Sequence, residues 1–376
     1  MYAQYLVGNG VTTILPNMDF ETFSEAGYKQ VAGKWVSVAG KGKQGGINVT
    51  GAWVYSEHPS TTVEFLSYDL MDGRGTQYWL PGMPPPQDLF DHLAKGGLIE
   101  AHNSFFEFAI WMNVCVKKMG WPPIRLDQMR DSAAKAGAFS LPRALDKGAK
   151  IMGTAPKDAE GHRVMLKLMR PRNPTKKNPD TKWTPEKAPE DFQKLYAYGI
   201  QDSVAEADLS AHIPDLTPYE LEVWKLDQKI NARGLHVDRP LVDAAIDILH
   251  KATFKYTTEL VHLTGGAVHA GSEVEALRGW MGAWGCAPPT MEAESLRTIM
   301  AYEFTPPVVR RVCELRLMLG SASVKKVFAM LARMSSDNRI RDMFMYCAAG
   351  RTGRWGGAGV QPHNMPKDGP AICERS

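Results

Sequence analysis

The feature that most constrains this sequence is an apolar stretch near its start, Ile14 to Ser24, which predicts a buried strand carrying two acidic residues. Successive strand side chains point to opposite faces, so Asp19 and Glu21 share one face while Phe20 points into the core. Two adjacent carboxylates repel each other at neutral pH unless a cation lies between them. Their oxygen ligands suit Mg²⁺ or Mn²⁺ rather than zinc. An isolated pair of this kind is more often a solvated strand edge, so the metal-site interpretation depends on further acids downstream.

Length and composition place the chain among soluble globular proteins. Its 376 residues suffice for two or three domains, and 44% hydrophobic with 23% charged residues excludes disordered and membrane classes. The N-terminus has no basic region followed by an apolar run, so we expect a cytoplasmic protein. The five cysteines lie far apart without C-x-x-C spacing, which favours reduced thiols over a disulfide framework or a zinc site. A net charge of +3 does not by itself indicate nucleic-acid binding.

Strands and helices alternate in the first part of the chain, which predicts an α/β layer structure with a mixed sheet opened by a hairpin meander. The β-type runs are Ile47 to Tyr55, Thr62 to Tyr68 and Gly75 to Leu80. They are followed by a short helix over Asp88 to Lys95, a strand over Leu98 to Ala101 and a longer helix over Ser104 to Lys118.

Two further acidic motifs follow. Asn103 precedes the longer helix and Glu107 lies one turn into it, where its carboxylate can face the strand ends. On local evidence alone, a helix cap and a first-turn acid favoured by the helix dipole are the simpler interpretation of these two residues. In a later helix, predicted over Glu190 to Ala211, Tyr198 and Asp202 are four residues apart and share one face. A phenol beside a carboxylate can orient a metal-bound water, although a surface tyrosine with a solvated aspartate gives the same pattern.

A basic, proline-rich segment, residues 161–187, separates these two motifs. Its proline density forbids a long helix, so we expect an extended loop. The loop could contact phosphates, with Trp183 as a stacking platform for a base, or could simply be solvated.

Beyond Asp215 the pattern changes to long amphipathic helices, with a domain boundary at Pro214 to Pro218. The predicted helices are Pro218 to Ala232, Arg239 to Leu263, Ser272 to Trp284, Met291 to Tyr302 and Pro306 to Arg333. A last landmark, Gly350 to Lys367, combines five glycines with Arg351 and Arg354. Glycines allow close backbone approach and guanidinium groups bind phosphate, so this segment favours a nucleic-acid contact.

Together these motifs resemble the N-terminal part of family A (DNA polymerase I-like) DNA polymerases of bacteriophages and prophages. The segments from Asp19 to Thr22, from His102 to Glu107 and from Tyr198 to Asp202 are similar, in this order, to the three motifs of the family's 3′–5′ proofreading exonuclease. Leu226 to Asp238 is similar to the start of the thumb. Arg351 to Trp355 and Gln361 to Pro366 resemble the primer-template contact motif before the palm.

The resemblance implies an α/β RNase H-like exonuclease domain over residues 1–214, containing the basic loop 161–187. A mainly α-helical thumb-like region and the start of the polymerase domain, truncated before the palm, would occupy residues 215–376. Two Mg²⁺ ions, replaceable by Mn²⁺, would be bound by four carboxylates: Asp19, Glu21, Glu107 and Asp202. Asp19 would bridge both ions, Asp202 would bind the nucleophile-side ion and Glu107 the other.

The resemblance also implies how substrate is held. Glu21 with Tyr198 would orient the attacking water, and Asn103 with Phe106 would shape the pocket of the 3′-terminal nucleotide. Further contacts with primer-template DNA would come from four residues near the C-terminus: Arg351, Arg354, Gln361 and Asn364. The expected products are nucleoside 5′-monophosphates.

Two departures from the family pattern matter. The second exonuclease motif usually ends in Asp, whereas position 107 is Glu. Nothing after Lys367 can supply the palm and fingers, so we expect a truncated polymerase, or half of a split one that a separate palm and fingers chain completes. The alternatives are a stand-alone exonuclease and a non-catalytic DNA-binding or assembly subunit. An exposed apolar surface near Met343 to Cys347 would favour the split polymerase.

Overall fold

A computed structural model describes residues 12–40, 43–155, 158–320, 322–350 and 352–365, apart from the side chains of residues 322–325. The chain forms two compact units. The first consists of Met1–Val237 with Ala332–Asn364, and the second of Asp238–Leu331 with Met365–Ser376. Among the described residues, no helix has the length and apolar character needed to cross a membrane.

The first unit is built on a five-stranded mixed sheet. Its strands are β1 (Asn17–Phe23), β4 (Thr62–Asp69), β5 (Gln77–Trp79), β6 (Ile99–Ala101) and β7 (Met129–Asp131). Their order in the sheet is β5-β4-β1-β6-β7. The central strand β1 has nearly all of its side chains buried, and it pairs antiparallel with β4 and parallel with β6. The expected mixed α/β sheet is therefore observed.

Helices cover this sheet. They are α1 (Ile47–Glu57), α2 (Gln87–Ala94), α3 (Ser104–Ile110), α4 (Lys117–Met119), α5 (Ser132–Ala138), α6 (Leu145–Met152), α7 (Ala159–Leu168), α8 (Pro189–Ala211) and α9 (Pro218–Arg233). A π-helical segment, Trp111–Val116, joins α3 to α4, so the predicted helix over Ser104 to Lys118 is continuous but not regular.

The segment between β1 and β4 differs from the prediction. A two-stranded hairpin of β2 (Tyr28–Val31) and β3 (Lys34–Ser37) lies here, followed by α1 in place of the predicted strand over Ile47 to Tyr55. Its β-branched and aromatic residues favour a strand by intrinsic propensity. Tertiary packing overrides that preference, because Ala52 packs in one buried cluster with Phe105 and Ala109 of α3.

The irregular loop in the basic segment is shorter than predicted, because a helix occupies the start of the segment. Helix α7 extends to Leu168, because residues 159–168 contain no proline and the Asp158 carboxylate accepts a hydrogen bond from the Glu160 N–H. The irregular loop begins at Met169 and ends before α8.

Helix α8 packs very closely on the sheet. A side chain at Gly199 would bring its Cβ to 2.5 Å from the Phe65 ring. The Ser67 hydroxyl donates to the Gly199 carbonyl (3.1 Å) and lies 2.6 Å from the Ser203 hydroxyl. This close approach sets the position of the α8 face that carries Tyr198 and Asp202.

The C-terminal part of the first unit consists of β9 (Arg339–Ile340), paired with β8 (Leu235–His236), and of β10 (Phe344–Ala349), paired with β11 (Arg354–Gly357). Met343, Tyr346 and Cys347 are each less than 5% exposed. These three side chains pack within the first unit, so they do not form the exposed apolar surface that would have favoured the split polymerase.

The second unit is helical, with α10 (Arg239–Leu263), α11 (Val274–Ala283), α12 (Ala293–Ala301), α13 (Pro307–Leu319) and α14 (Ala322–Arg333), the last ending in the first unit. The single long helix predicted over Pro306 to Arg333 is two helices, because the first ends at Gly320. Leu260, Leu277, Val309 and Leu315 are fully buried in the core of this unit.

Candidate active site

The first unit contains a cleft of about 690 Å³ that unites seven of the residues predicted from sequence. They are Asp19, Glu21, Asn103, Phe106, Glu107, Tyr198 and Asp202. They come from three elements that are distant in the chain: strand β1, the start of helix α3 and the middle of helix α8. The cleft is therefore a product of the sheet, which brings these elements side by side.

Glu107 lies at the backbone of β1. It is 3% exposed, and its Oε2 accepts a hydrogen bond from the Phe20 N–H at 3.2 Å. Burial raises the pKa of Glu107 well above its usual value, and the charges of three neighbouring carboxylates act in the same direction: Asp19, Glu206 and Glu21. Glu107 is therefore part of a concentration of acids and not a solvated first-turn residue.

Tyr198 faces the same acids from helix α8. Burial raises the pKa of its phenol far above the usual value, and the charge of Asp202 and a hydrogen bond to it contribute further. The His162 ring nitrogen Nδ1 lies 3.4 Å from the phenol oxygen. The phenol therefore stays protonated at neutral pH and can donate a hydrogen bond.

Asn103 occupies a strained turn before α3, with φ of 68° and no capping hydrogen bond from its side chain. Instead its backbone N–H donates to Asp131 Oδ1 (3.1 Å), which also caps helix α5 by accepting from Ala133 and Ala134. The Arg143 guanidinium lies 3.7 Å from the other carboxylate oxygen of Asp131. Asp131 thus fixes the turn that starts the Glu107 helix.

Sequence reasoning missed two acids near the cleft, Asp131 and Glu206. Glu206 is 2% exposed and accepts a hydrogen bond from the Ser132 hydroxyl at 3.2 Å. Burial, followed by the charges of Glu100 and Asp19, raises the pKa of Glu206 well above its usual value. Its spacing of four residues from Asp202 was the available signal, because it places both on one helical face.

The donor chemistry of the cleft fits a divalent cation, since carboxylate oxygens are the ligands that Mg²⁺ and Mn²⁺ prefer. The raised pKa of Glu107 reports negative charge that a cation would offset. Across the described residues, however, no group of three or more His, Cys, Asp or Glu side chains is already arranged to hold an ion.

The predicted DNA-contact residues near the C-terminus do not line this cleft. Arg354 and Gln361 are exposed, and the Asn364 side chain donates to the Gln361 side chain at 3.1 Å. Arg351 lies outside the described residues.

Two basic side chains, Arg172 and Lys167, lie over the Trp183 ring. The Arg172 guanidinium lies 4.4 Å from the ring centroid and the Lys167 ammonium 5.1 Å away. These cation–π contacts occupy the surface that sequence analysis offered for base stacking.

Comparisons with known proteins point to DNA polymerases. The chain is 30% identical over 324 residues to the DNA polymerase of Bacillus phage SP02, a match that covers 85% of this chain and 49% of that protein. The chain is related to a phage DNA polymerase. It spans about half the length of this curated relative.

Two further comparisons do not add to this relationship. The solved POL domain of Pol1 from M. smegmatis, in complex with DNA primer-template and dNTP, matches 81% of this chain and 50% of its own at 17% identity, with a TM-score of 0.49. No protein-family model matches the chain.

Proposed function

We propose that this chain is the 3′–5′ exonuclease portion of a phage-type family A DNA polymerase, with an RNase H-like catalytic domain. The observation that carries the proposal is the convergence of Glu107, Tyr198 and Asp202 on the Asp19 and Glu21 strand in one cleft. The relation to a phage DNA polymerase supports it from an independent direction.

Asp19, Glu21, Glu107 and Asp202 would hold two Mg²⁺ ions, with Mn²⁺ as a substitute. Bound divalent ions supply two things to phosphodiester hydrolysis, a lowered pKa for an attacking water and charge stabilisation for the departing 3′ oxygen. The longer side chain of Glu107 reaches the β1 backbone, so Glu in place of the family's Asp still delivers a carboxylate.

Tyr198 positions the attacking water in this scheme. Its phenol stays protonated, hydrogen-bonds to Asp202 and lies in the cleft. It therefore offers a fixed hydrogen-bonding partner for a water on the Asp202 side. Glu21, on the facing strand, would accept the second hydrogen bond of that water.

The substrate would be the 3′ end of a single strand. Phe106 lines the cleft as a half-buried ring, 5.9 Å from the Tyr55 ring, and can stack on a base of any identity. The Asn103 side chain is not engaged in helix capping and can hydrogen-bond the terminal nucleotide. DNA is the proposed substrate because the related phage protein is a DNA polymerase.

The larger role proposed is proofreading during DNA replication in a bacterial host cell. Residues 1–214 would form the exonuclease domain, and the helical region from 215 a thumb that contacts primer-template duplex with Arg351, Arg354, Gln361 and Asn364. Nucleotide addition would require palm and fingers in addition to these residues, a proposal that rests on the family resemblance alone.

The test is degradation of a 5′-labelled single-stranded DNA oligonucleotide by the purified protein with Mg²⁺ or Mn²⁺. Stepwise shortening from the 3′ end is expected, with loss of at least about 10³-fold in Asp19→Ala and Asp202→Ala. Asp91→Ala removes an exposed acid of helix α2 outside the cleft and should leave the rate unchanged. Shortening that persists in both cleft variants would refute the proposal.

A non-catalytic DNA-binding or assembly subunit is the second candidate. It is favoured by one observation, the glutamate at position 107, where the second exonuclease motif of the family usually ends in aspartate. DNA binding without cleavage in either metal would establish it.

A further inference from the structure

We propose that the β2–β3 hairpin and the loop of residues 169–188 form one basic entrance surface, which contacts the phosphates of a single DNA strand whose 3′ end lies in the carboxylate cleft. The inference rests on the proposed function and adds the part of the chain that binds the strand upstream of its end.

The hairpin segment has an unusual charge. Residues 26–56 contain four lysines and no aspartate, glutamate, arginine or histidine. Lys29 and Lys34 lie on the two hairpin strands and are exposed, as is Lys43 after them. The hairpin therefore projects only positive charge, whereas the neighbouring cleft is acidic.

The loop of residues 169–188 also carries a net positive charge, with six basic and two acidic residues. Some of its cations are used internally, since Lys187 pairs with Asp180 and Lys182 with Glu64. Arg170, Lys176 and Lys177 are exposed and, like Lys29 and Lys34, form no ion pair within the described ranges. Cations without protein partners remain available for phosphate.

The hairpin and the loop are joined to each other. The Trp35 backbone N–H on β3 donates to the Asn173 side chain of the loop. At the base of the hairpin, the Ser24 N–H donates to the Met169 carbonyl at 3.3 Å. The two basic segments thus form one continuous surface.

This surface meets the cleft at its mouth. Tyr28 at the start of the hairpin, Gln44 after it and Arg170 of the loop all line the cleft that holds the carboxylates. The base of the hairpin is fixed by backbone contact, because a side chain at Gly27, where φ is 74°, would bring its Cβ to 2.6 Å from the Gly46 nitrogen. A DNA strand with its 3′ end among the carboxylates would therefore pass the cations of the hairpin and the loop as it leaves the cleft.

The experiment measures binding without cleavage. Fluorescence anisotropy of a labelled oligo-dT is recorded in EDTA over a range of salt, for strands of about 4 and about 16 nucleotides. For Lys29→Gln/Lys34→Gln, affinity for the longer strand should fall at least about fivefold at low salt. The slope of log K against log salt should fall by about 1.4, since each lost phosphate contact on single strands contributes about 0.7. The shorter strand should be affected less.

A matched control is Lys95→Gln/Lys147→Gln, which removes the same charge at exposed positions outside the cleft and both basic segments. It should retain wild-type affinity and slope, and Lys29→Arg/Lys34→Arg should as well. Equal losses in the two glutamine variants, or a hairpin variant that binds like wild type, would overturn the proposal, as would absence of binding by the wild-type protein.

Cleavage separates this proposal from the proposed function. With Mg²⁺, the hairpin variant should raise KM for the longer strand and leave kcat unchanged. One outcome would refute the exonuclease proposal alone. In that outcome neither the wild-type protein nor any variant cleaves DNA, but binding in EDTA still depends on Lys29 and Lys34.

Discussion

The carboxylate of Glu107 accepts a hydrogen bond from the backbone N–H of Phe20 at 3.2 Å, which holds the acid of helix α3 against the strand that carries Asp19 and Glu21. Burial and neighbouring charges raise the pKa of Glu107 well above its usual value. The fold thus concentrates negative charge that is costly without a cation, which is a property expected of a metal-dependent site.

Replacing Glu107 with glutamine should make stability less sensitive to pH. An acid whose pKa is raised in the folded state binds more protons when folded, so stability is lost as pH rises from the unfolded pKa toward the folded one. Urea midpoints of the wild-type protein in EDTA should therefore fall as the pH rises above the usual pKa of a glutamate, and those of Glu107→Gln should fall less. Identical pH profiles would show that Glu107 ionises normally.

Removing the Tyr198 hydroxyl should slow hydrolysis without weakening strand binding. Tyr198→Phe preserves the packing of a ring that is 1% exposed but removes the hydrogen bond to Asp202. We expect kcat to fall by about 10- to 100-fold, with unchanged oligonucleotide affinity in EDTA. Tyr196→Phe, on the same helix but outside the cleft, is the matched control. Equal rates in both variants would exclude a role for the hydroxyl.

A methyl group at Gly199 should separate helix α8 from the sheet. Its Cβ would lie 2.5 Å from the Phe65 ring, so Gly199→Ala should cost about 1–3 kcal/mol of unfolding free energy and lower exonuclease activity by displacing Tyr198 and Asp202. Gly279→Ala, in a helix with no neighbouring atom within 4 Å, should instead stabilise by up to about 1 kcal/mol. Chemical denaturation of both variants tests the difference, and a stabilised Gly199→Ala would contradict the observed packing.

Loss of the Asp131 carboxylate should disturb Glu107 indirectly. Asp131→Ala leaves three backbone N–H groups without their acceptor, at a cost of about 2 kcal/mol or more. Asp131→Asn retains an acceptor oxygen and should lose less stability and less activity. Denaturation and degradation assays on both variants check this order, and the reverse order would mean that charge facing Arg143 matters more than the hydrogen bonds.

Much of the architecture was predictable from local pattern. The strand carrying Asp19 and Glu21, helix α8 with Tyr198 and Asp202, and the helix over Arg239 to Leu263 appear where periodicity placed them. One failure has a tertiary cause. Residues 47–57 have strand propensity but form a helix because Ala52 packs on α3, a contact more than 50 residues away in sequence.

The sequence by itself determined which acidic side chains are candidates for a site, because residue type and the periods of strand and helix put each acid on a defined face. The tertiary structure decided what those faces meet. Burial of Glu107 against the Phe20 N–H, its proximity to Glu206 and the joining of the hairpin to the loop at Asn173 depend on segments far apart in sequence. Spacing along a chain cannot specify such distances, since they are fixed only when the sheet assembles and the apolar core closes around it.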